Sequence, residues 1–282
     1  MTSSPHDLVA PASAVTADGF DGRPILRARA SLTLILLGMF ALSLFAVDWS
    51  QPLVHARGLS ALGEMAGAAL RPNLSPEILR VGARAAMETV AYATAGVSLA
   101  VTLAIPAGIL ASGVLQRRPL VRVVIGGGAR GWLAVLRAIH ELIWAWLFVA
   151  AIGLSPIAAV LALALPYAGI LGKIFADMLQ DVPPAPLASL RSAGASETKI
   201  LLYGRLPAAL PTMLSYGLYR FECGLRSAAI LSFVGLGGLG YQIQISLEDL
   251  RFDEVWTFVY ILVLLVVIVD SWSAAVRRRM VS

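Results

Sequence analysis

The sequence predicts an all-α protein, a single polytopic bundle of about six transmembrane helices. Of its 282 residues, 58% are hydrophobic and only 14% are charged, whereas soluble domains contain about 25% charged residues. The hydrophobic residues are gathered into apolar runs of about 20 residues, which is the length that crosses the hydrocarbon core of a bilayer. The formal charge of +5 does not indicate nucleic-acid binding, because the basic residues are spread between these runs and end in a short cluster, Arg277-Arg278-Arg279. The positive-inside rule produces such a pattern.

The elements follow in order from the N-terminus. Residues 1–24 are rich in Ser, Ala, Pro and Asp, which predicts a disordered cytoplasmic tail. Residues 25–84 hold a first span and an external loop, part of which is predicted to lie along the membrane surface. The first apolar region is long and lacks a clear cleavage site, which favours an uncleaved span over a signal peptide. Residues 85–280 form the permeation core in this prediction, with a cytoplasmic loop at 180–207. The predicted spans are 31–47, 86–112, 122–151, 156–179, 208–232 and 255–276.

The distribution of basic residues predicts the orientation of the chain. Of the 22 Lys and Arg residues, thirteen fall in the N-terminal arm, in or at the edge of the second-to-third and fourth-to-fifth connections, and in the C-terminal tail. Five lie on the opposite side, and four lie inside spans: Arg130, Arg137, Arg220 and Arg226. Cytoplasmic loops carry the excess of positive charge, so both termini are predicted to be cytoplasmic.

Small residues follow one face of the second predicted span. Gly96, Ala100, Ala104, Gly108 and Ser112 each come four residues after the last. In lipid, such stripes let helix backbones approach closely. We expect tight packing within the subunit, with a subunit interface as the alternative.

Charged residues within the spans are candidates for the translocation pathway: Arg137, Glu141, Arg220, Glu222 and Arg226. A charge at the centre of a span costs about 2.5–3.5 kcal/mol on insertion scales, so such groups face partners or a water-filled path. Arg137 with Glu141, and Glu222 with Arg226, stand four residues apart and are expected to pair within their own helices. Arg220 needs another partner. The excess of arginine favours an anionic solute, and ion pairs that only fix helix packing are the alternative.

No catalytic or cofactor site is predicted for this chain. Gly235, Gly237 and Gly240 match the letters of a dinucleotide motif, but no βαβ unit surrounds them, so they are expected to break a helix or let it re-enter the bilayer. Gly126-Gly127-Gly128 is interpreted as a flexible entry to the third span. His140 lacks the spacing of a metal site and is expected to be packed. The single cysteine, Cys223, excludes a disulfide within the chain, and no phosphate-binding loop for ATP occurs.

The loop at 180–207 is the most informative segment. Pro183, Pro184 and Pro186 end one helix and set the start of a short one. Residues 187–203 are predicted to form an amphipathic helix in the cytosol, with Gly194 allowing a bend or a close approach. Such a segment can receive force from a cytosolic partner, and an ordinary solvated loop is the alternative.

This loop resembles the EAA loop of ABC importer permeases, which docks into a groove of the ATPase subunit. Gly194 matches the central glycine, and Leu206-Pro207 match the terminal pair. The sequence departs from the pattern at four positions. Ala188 stands where the family usually has Glu, Ser189 and Leu190 replace two alanines, and Gly204 replaces a branched apolar residue. By this resemblance, the ATPase-coupling residues are Ala188, Ser189, Leu190, Gly194, Leu206 and Pro207.

A narrower resemblance, over residues 85–280, is to the permease subunits of phosphonate-type importers. It rests on 136–145, 214–222 and 234–240, with Asp270 and the Arg277–Arg279 end. It implies the type I importer fold in a bacterial inner membrane, and a homodimer with two cytosolic ATPases and an external solute-binding protein. ATP and Mg²⁺ would bind the ATPases, and the solute would be phosphonate, phosphate or phosphite. A secondary anion transporter driven by an ion gradient is the main alternative, and a membrane receptor or scaffold is a third.

Overall fold

The computed structural model describes residues 23–47 and 58–281, which form ten helices and contain no strand. The helices are α1 (Arg23–Ala46), α2 (Gly58–Ala68), α3 (Pro76–Ser112), α4 (Pro119–Ala138), α5 (Glu141–Ile152), α6 (Pro156–Gln180), α7 (Pro184–Ser192), α8 (Glu197–Val234), α9 (Leu239–Glu248) and α10 (Phe252–Val281). Short π-helical segments, Arg122–Gly126 and Leu201–Arg205, lie within α4 and α8. The helical fold expected from the sequence is confirmed.

Four of the described helices are long and apolar enough to cross a membrane: α3, α4, α6 and α10. Helices α8 and α9, bent by 41° at their junction, form a fifth candidate as a pair. The described apolar part of α1 and the whole of α5 are shorter. The chain divides between Leu59 and Ser60, and α1 belongs to the first unit. The predicted disordered tail lies outside the described residues, apart from Arg23 and Pro24, which begin α1.

The centre of the second unit is the contact between α3 and α6. All five residues of the small stripe on α3 are buried. A β-carbon on Gly96 would lie 2.7 Å from Cδ2 of Leu163, and one on Gly108 would lie 2.9 Å from the backbone oxygen of Gly172. The stripe therefore lets α3 touch α6 within the subunit, which confirms the packing interpretation.

The predicted third span is wrong as a single helix. Helix α4 ends at Ala138, Ile139 and His140 are extended, and α5 begins at Glu141. The break falls in the polar segment from Arg137 to Glu141. It is stabilised locally because His140 Nδ1 accepts a hydrogen bond from the backbone N–H of Leu142 at 3.3 Å. His140 has an exposed side chain rather than the packed one expected. The glycines at 126–128 lie inside the helix and are not a flexible entry.

Helices α4 and α5 together follow the length of α6. A β-carbon on Gly169 would lie 2.8 Å from the backbone nitrogen of Arg137, which places the end of α4 against the middle of α6. In α5, Ala145 packs with the N-terminal part of α6, at Ala158 and Ala162. Since the two short helices lie end to end beside one long helix, we interpret them as one interrupted span.

The predicted fifth span, 208–232, belongs to a helix that begins earlier, within the loop at 180–207. Helix α8 starts at Glu197 and continues through Leu206-Pro207, where the sequence predicted re-entry into the membrane. Proline lacks an N–H and its ring collides with the carbonyl four residues earlier. The π-helical turn Leu201–Arg205, directly before Leu206-Pro207, widens the helix at that point, which explains how the proline is accommodated.

The glycine-rich segment 235–240 breaks the helix, as the sequence predicted. Gly235, Gly237 and Gly238 have φ angles of 93°, 86° and 87°, which L-residues rarely adopt. Backbone N–H groups of the turn donate to side chains in the first half of α3: Gly238 to Glu88 at 3.1 Å and Leu239 to Thr89 at 3.0 Å. These bonds position α9 beside α3.

Gly240 offers a sharp test of this arrangement. A β-carbon there would lie 2.0 Å from the backbone oxygen of Ala229, so Gly240→Ala requires the α8–α9 turn to move. We expect a loss of about 3 kcal/mol in the free energy of unfolding, measured as a melting temperature lower by about 10 °C in detergent. Gly217→Ala in α8 is the control, because its β-carbon would meet no atom within 4 Å. Equal melting of the two variants would show that the turn does not pack this closely on Ala229.

Candidate functional site

A polar network joins three helices where the interrupted span passes α6. The Ser227 hydroxyl of α8 donates to Glu141 Oε1 of α5 at 2.7 Å. The same hydroxyl lies 3.1 Å from the Tyr167 hydroxyl of α6. Glu141 is therefore bound by another helix, and the expected pair with Arg137 in its own helix is wrong because the helix breaks between them. The negative charge also sits in the first turn of α5, where the helix dipole favours it.

The network lies near the middle of the bundle's membrane-spanning length. Glu141 precedes the end of α5 at Ile152 by eleven residues, and Tyr167 follows the start of α6 at Pro156 by eleven residues. At 1.5 Å per residue, each side chain lies about 16 Å from the α5–α6 turn. The hydrocarbon core of a bilayer is about 30 Å thick. A helix break at this depth is tolerated where it is buried in protein or lines a water-filled cavity.

Arg220 is surrounded by tyrosines and has no carboxylate partner among the described residues. Its guanidinium carbon lies 5.7, 5.6 and 6.0 Å from the ring centres of Tyr167, Tyr216 and Tyr219. Its Nε donates to the Tyr216 hydroxyl at 3.2 Å. Cation–π contacts of this kind stabilise the guanidinium by about 0.5–2 kcal/mol without neutralising its charge. The remaining N–H groups can therefore bind an anion.

Two further charges of α8, Glu222 and Arg226, pair with residues of α10. Glu222, which is 7% exposed, forms an ion pair with Arg277 of α10, and Arg277 also donates to Ser273 at 2.8 Å. Arg226 approaches Asp270 of α10 at 3.9 Å. The expected pair between Glu222 and Arg226 within α8 is therefore wrong, because α10 supplies a nearer partner to each.

The pair between Glu222 and Arg277 is expected to stabilise the α8–α10 contact. Glu222→Gln leaves the half-buried guanidinium of Arg277 without its carboxylate. We expect a loss of about 1–3 kcal/mol in the free energy of unfolding, below the cost of breaking a fully buried pair. Thermal unfolding of both single variants and the double variant should give a coupling energy of about 1–3 kcal/mol. Arg278→Gln, next to Arg277, is the control. Additive single effects would show that the two side chains do not interact.

Arg137 is exposed and forms no ion pair with any described residue. An exposed arginine at the end of α4, close to the interrupted region, needs water or a partner chain in a membrane. Arg130 lies two turns earlier and donates to the backbone oxygen of Ala111 at 2.9 Å, at the C-terminal end of α3.

The candidate coupling loop, residues 180–207, contains the short helix α7. Leu187 is buried and anchors α7, whereas Ala188 and Ser189 are exposed and Leu190 is partly buried. A β-carbon on Gly204 would lie 2.9 Å from Leu187 Cδ2 and 3.0 Å from Leu190 Cδ1. The glycine at 204 thus allows α7 to pack against the start of α8. Leu206 is partly buried and Pro207 exposed.

Gly194 shapes the turn between α7 and α8. Its φ is 79°, and its N–H donates to the Arg191 oxygen at 3.0 Å. A β-carbon on Gly194 would meet nothing within 4 Å. The expected bend is therefore present, and no other described part of this chain lies close to the Gly194 α-carbon. The single predicted helix over 187–203 is also wrong, because this turn divides the segment.

Sequence reasoning missed Tyr167, Ser227 and the tyrosines around Arg220. Tyr216 stands four residues before Arg220, and this helical spacing was an available signal. Tyr167 follows Pro166 in a separate span, and Ser227 is an ordinary residue of α8. Nothing in their local sequence indicates contact with Arg220 or Glu141.

The described residues contain no group of three or more His, Cys, Asp or Glu side chains arranged to hold a metal ion. The site therefore consists of arginine, tyrosine, serine and glutamate side chains, which can bind and orient a polar solute by hydrogen bonds and charge.

Residues 104–282 match the protein family described as "Binding-protein-dependent transport system inner membrane component". The chain is 32% identical over 244 residues to the phosphite transport system permease protein PtxC of Stutzerimonas stutzeri, covering 86% of each chain. It is 37% identical over 197 residues to the phosphate-import permease protein PhnE of Mycolicibacterium smegmatis. That match covers 70% of this chain but only 36% of the relative, so the chain spans about a third of its length.

Solved structures share the fold. An inward-facing structure of the MetNI methionine ABC transporter superposes with a TM-score of 0.64 at 19% identity, covering 73% of this chain and 99% of the other. An amino acid ABC transporter crystallised with histidines gives a TM-score of 0.61 at 18% identity, covering 72% and 95%. At these identities the likeness concerns the fold alone.

Proposed function

Because the chain belongs to the binding-protein-dependent transport system inner membrane component family, and is thus a multi-pass permease subunit of an ABC importer, we propose that it carries a phosphorus oxyanion. Relatives named for phosphate and phosphite transport support this class of solute. A phosphonate transport system permease protein, PhnE2 of Escherichia coli, is 31% identical over 121 residues, which cover 43% of this chain and 99% of the relative. It extends the class to carbon-bonded phosphorus.

The observation that carries the proposal is the uncompensated charge of Arg220 near the middle of the bundle. A guanidinium with tyrosine hydroxyls around it offers several donors to the oxygens of a phosphate-type anion. Arg137 and Glu141 at the helix break complete the proposed pathway. In this proposal Glu222 and Arg226 lie at the edge of the same pathway. Their ion pairs hold α8 against α10.

The proposed partners follow from exposed surfaces. The exposed side of α7, with Ala188 and Ser189, would dock on a cytosolic ATPase that binds ATP and Mg²⁺. The exposed Arg137 and His140 would face a second copy of the chain across a shared path. This arrangement requires both termini to be cytoplasmic and an external binding protein to deliver the solute. It also leaves the permease without an enzymatic activity of its own.

Reconstituted uptake tests the proposal. The chain is coexpressed with its proposed partners, an ATPase and a binding protein identified by copurification, and the complex is purified and placed in liposomes. Uptake of radiolabelled phosphate, phosphite and methylphosphonate should require internal ATP and persist when ionophores collapse ion gradients. Uptake that survives without ATP and stops with the ionophores would instead identify the secondary anion transporter. Transport of none of the three solutes would refute the phosphorus oxyanion.

A further inference from the structure

A cationic cavity lies away from the pathway, at the end of the bundle that holds the candidate coupling loop. We call it the arginine cavity. It has a volume of about 770 Å³ and is lined by five arginines, Arg117, Arg122, Arg130, Arg191 and Arg205, with one carboxylate, Glu197. These residues come from α4, the α3–α4 connection, the candidate coupling loop and the start of α8. The cavity therefore lies between segments that the chain brings together from far apart.

The single carboxylate neutralises only part of this charge. Glu197 pairs with Arg191 at 3.3 Å and with Arg117 at 3.6 Å. No ion pair joins Arg122, Arg130 or Arg205 to a carboxylate in the part of the chain that the structure describes. Several like charges around a cavity raise one another's free energy unless an anion lies between them.

The three remaining arginines use few of their donors. Arg122 Nε donates to the Gly113 oxygen at 3.3 Å, and Arg130 Nε to the Ala111 oxygen at 2.9 Å. Arg205 donates to the Leu179 oxygen at 2.6 Å. These bonds satisfy carbonyl groups at the C-terminal ends of α3 and α6. A guanidinium has five N–H donors, so the capping role leaves most of them available to a ligand.

A buried hydrogen-bond acceptor in the wall of the arginine cavity sets a second requirement for the ligand. Gln116 is 9% exposed, and its Oε1 is buried without a hydrogen-bond partner. Buried polar atoms are nearly always hydrogen-bonded, so a ligand with both acceptors and a hydroxyl donor suits the cavity. Monohydrogen phosphate has both, and so does the phosphate and glycerol headgroup of phosphatidylglycerol.

We propose that the arginine cavity binds a phosphate-type anion, either free phosphate or an anionic lipid headgroup, which links the candidate coupling loop to the α3–α4 connection. Gln180, which lines the cavity, follows Tyr167 by thirteen residues on α6. The cavity is therefore about 20 Å from the Arg220 site. Its chemistry does not depend on which solute the permease carries.

Phosphate binding to the full chain tests the free-anion source. The chain carries Arg220→Gln to disable the proposed pathway site, and is placed in nanodiscs of phosphatidylcholine alone. Equilibrium dialysis with radiolabelled inorganic phosphate at constant ionic strength gives the dissociation constant. We expect Arg122→Gln and Arg205→Gln each to weaken binding about tenfold, since a charged hydrogen bond is lost. Arg118→Gln is the control, because Arg118 lies in the same connection but does not line the cavity.

Nanodiscs containing phosphatidylglycerol test the headgroup source. If the lipid occupies the cavity, it raises the melting temperature of the Arg118→Gln chain but not of the Arg122→Gln or Arg205→Gln chain, and excludes phosphate. In either case, hydrogen exchange of amides 184–200 should slow when the anion is present. The proposal is overturned if neither anion binds, if all three arginine variants respond equally, or if exchange in this segment is unchanged. None of these results bears on the proposal that Arg220 binds the transported solute, because that proposal is tested by the uptake assay.

Discussion

Arg220→Gln is expected to reduce solute uptake by about 10- to 100-fold while the amount of folded protein stays near that of the wild type. The substitution removes the guanidinium charge that lies among three tyrosines, and a hydrogen bond to a charged group contributes about 1.5–3 kcal/mol. Because Arg220 has no carboxylate partner among the described residues, its loss leaves no buried anion unpaired. Initial rates of radiolabelled phosphate uptake in liposomes, normalised to protein, measure the effect.

One further variant of Arg220 separates the roles of charge and geometry, and a variant of another arginine is the control. Arg220→Lys keeps the charge but loses the planar donor array, and should give an intermediate rate. Arg80→Gln makes the same chemical change at an exposed arginine at the start of α3 and should leave uptake unchanged. If Arg220→Gln lowers abundance and uptake equally, Arg220 acts in helix packing.

Gly194→Trp is expected to abolish ATP-driven uptake while leaving membrane insertion intact. The position requires a φ of 79°, and a left-handed conformation costs an ordinary L-residue about 1–2 kcal/mol. The indole also enlarges the exposed surface that is proposed to dock on the ATPase. Uptake, ATP hydrolysis and copurification of the ATPase are measured on the same reconstituted complex, and hydrolysis should no longer depend on solute.

Gly194→Asn and Gly194→Ala separate the backbone from the surface. Asparagine adopts the left-handed conformation more readily than alanine, so the asparagine variant should transport faster than the alanine variant. Since nothing lies within 4 Å of the added β-carbon, any difference between them reports the turn itself. Wild-type uptake by Gly194→Trp would contradict the docking role of the candidate coupling loop.

Local patterns predicted the elements that depend on one segment. The four-residue spacing from Gly96 to Ser112 predicted a close helix contact, and the structure places α6 on that face. The prolines at the start of α7 and the glycine at 194 predicted a short helix and a bend. The break at Ile139–His140 was missed because residues 122–151 have the length and mean hydropathy of one span, and hydropathy contains no information about backbone angles.

The sequence by itself determined the all-α membrane fold, the family resemblance and the position of the candidate coupling loop, because composition, hydropathy and motif spacing are properties of continuous segments. Only the tertiary structure decided which charges meet. Glu222 reaches Arg277 rather than Arg226, and Glu141 reaches Ser227 rather than Arg137. Each residue turns a helix by about 100°, so the partner of a side chain depends on the rotation and register of neighbouring helices, which packing sets across the whole bundle.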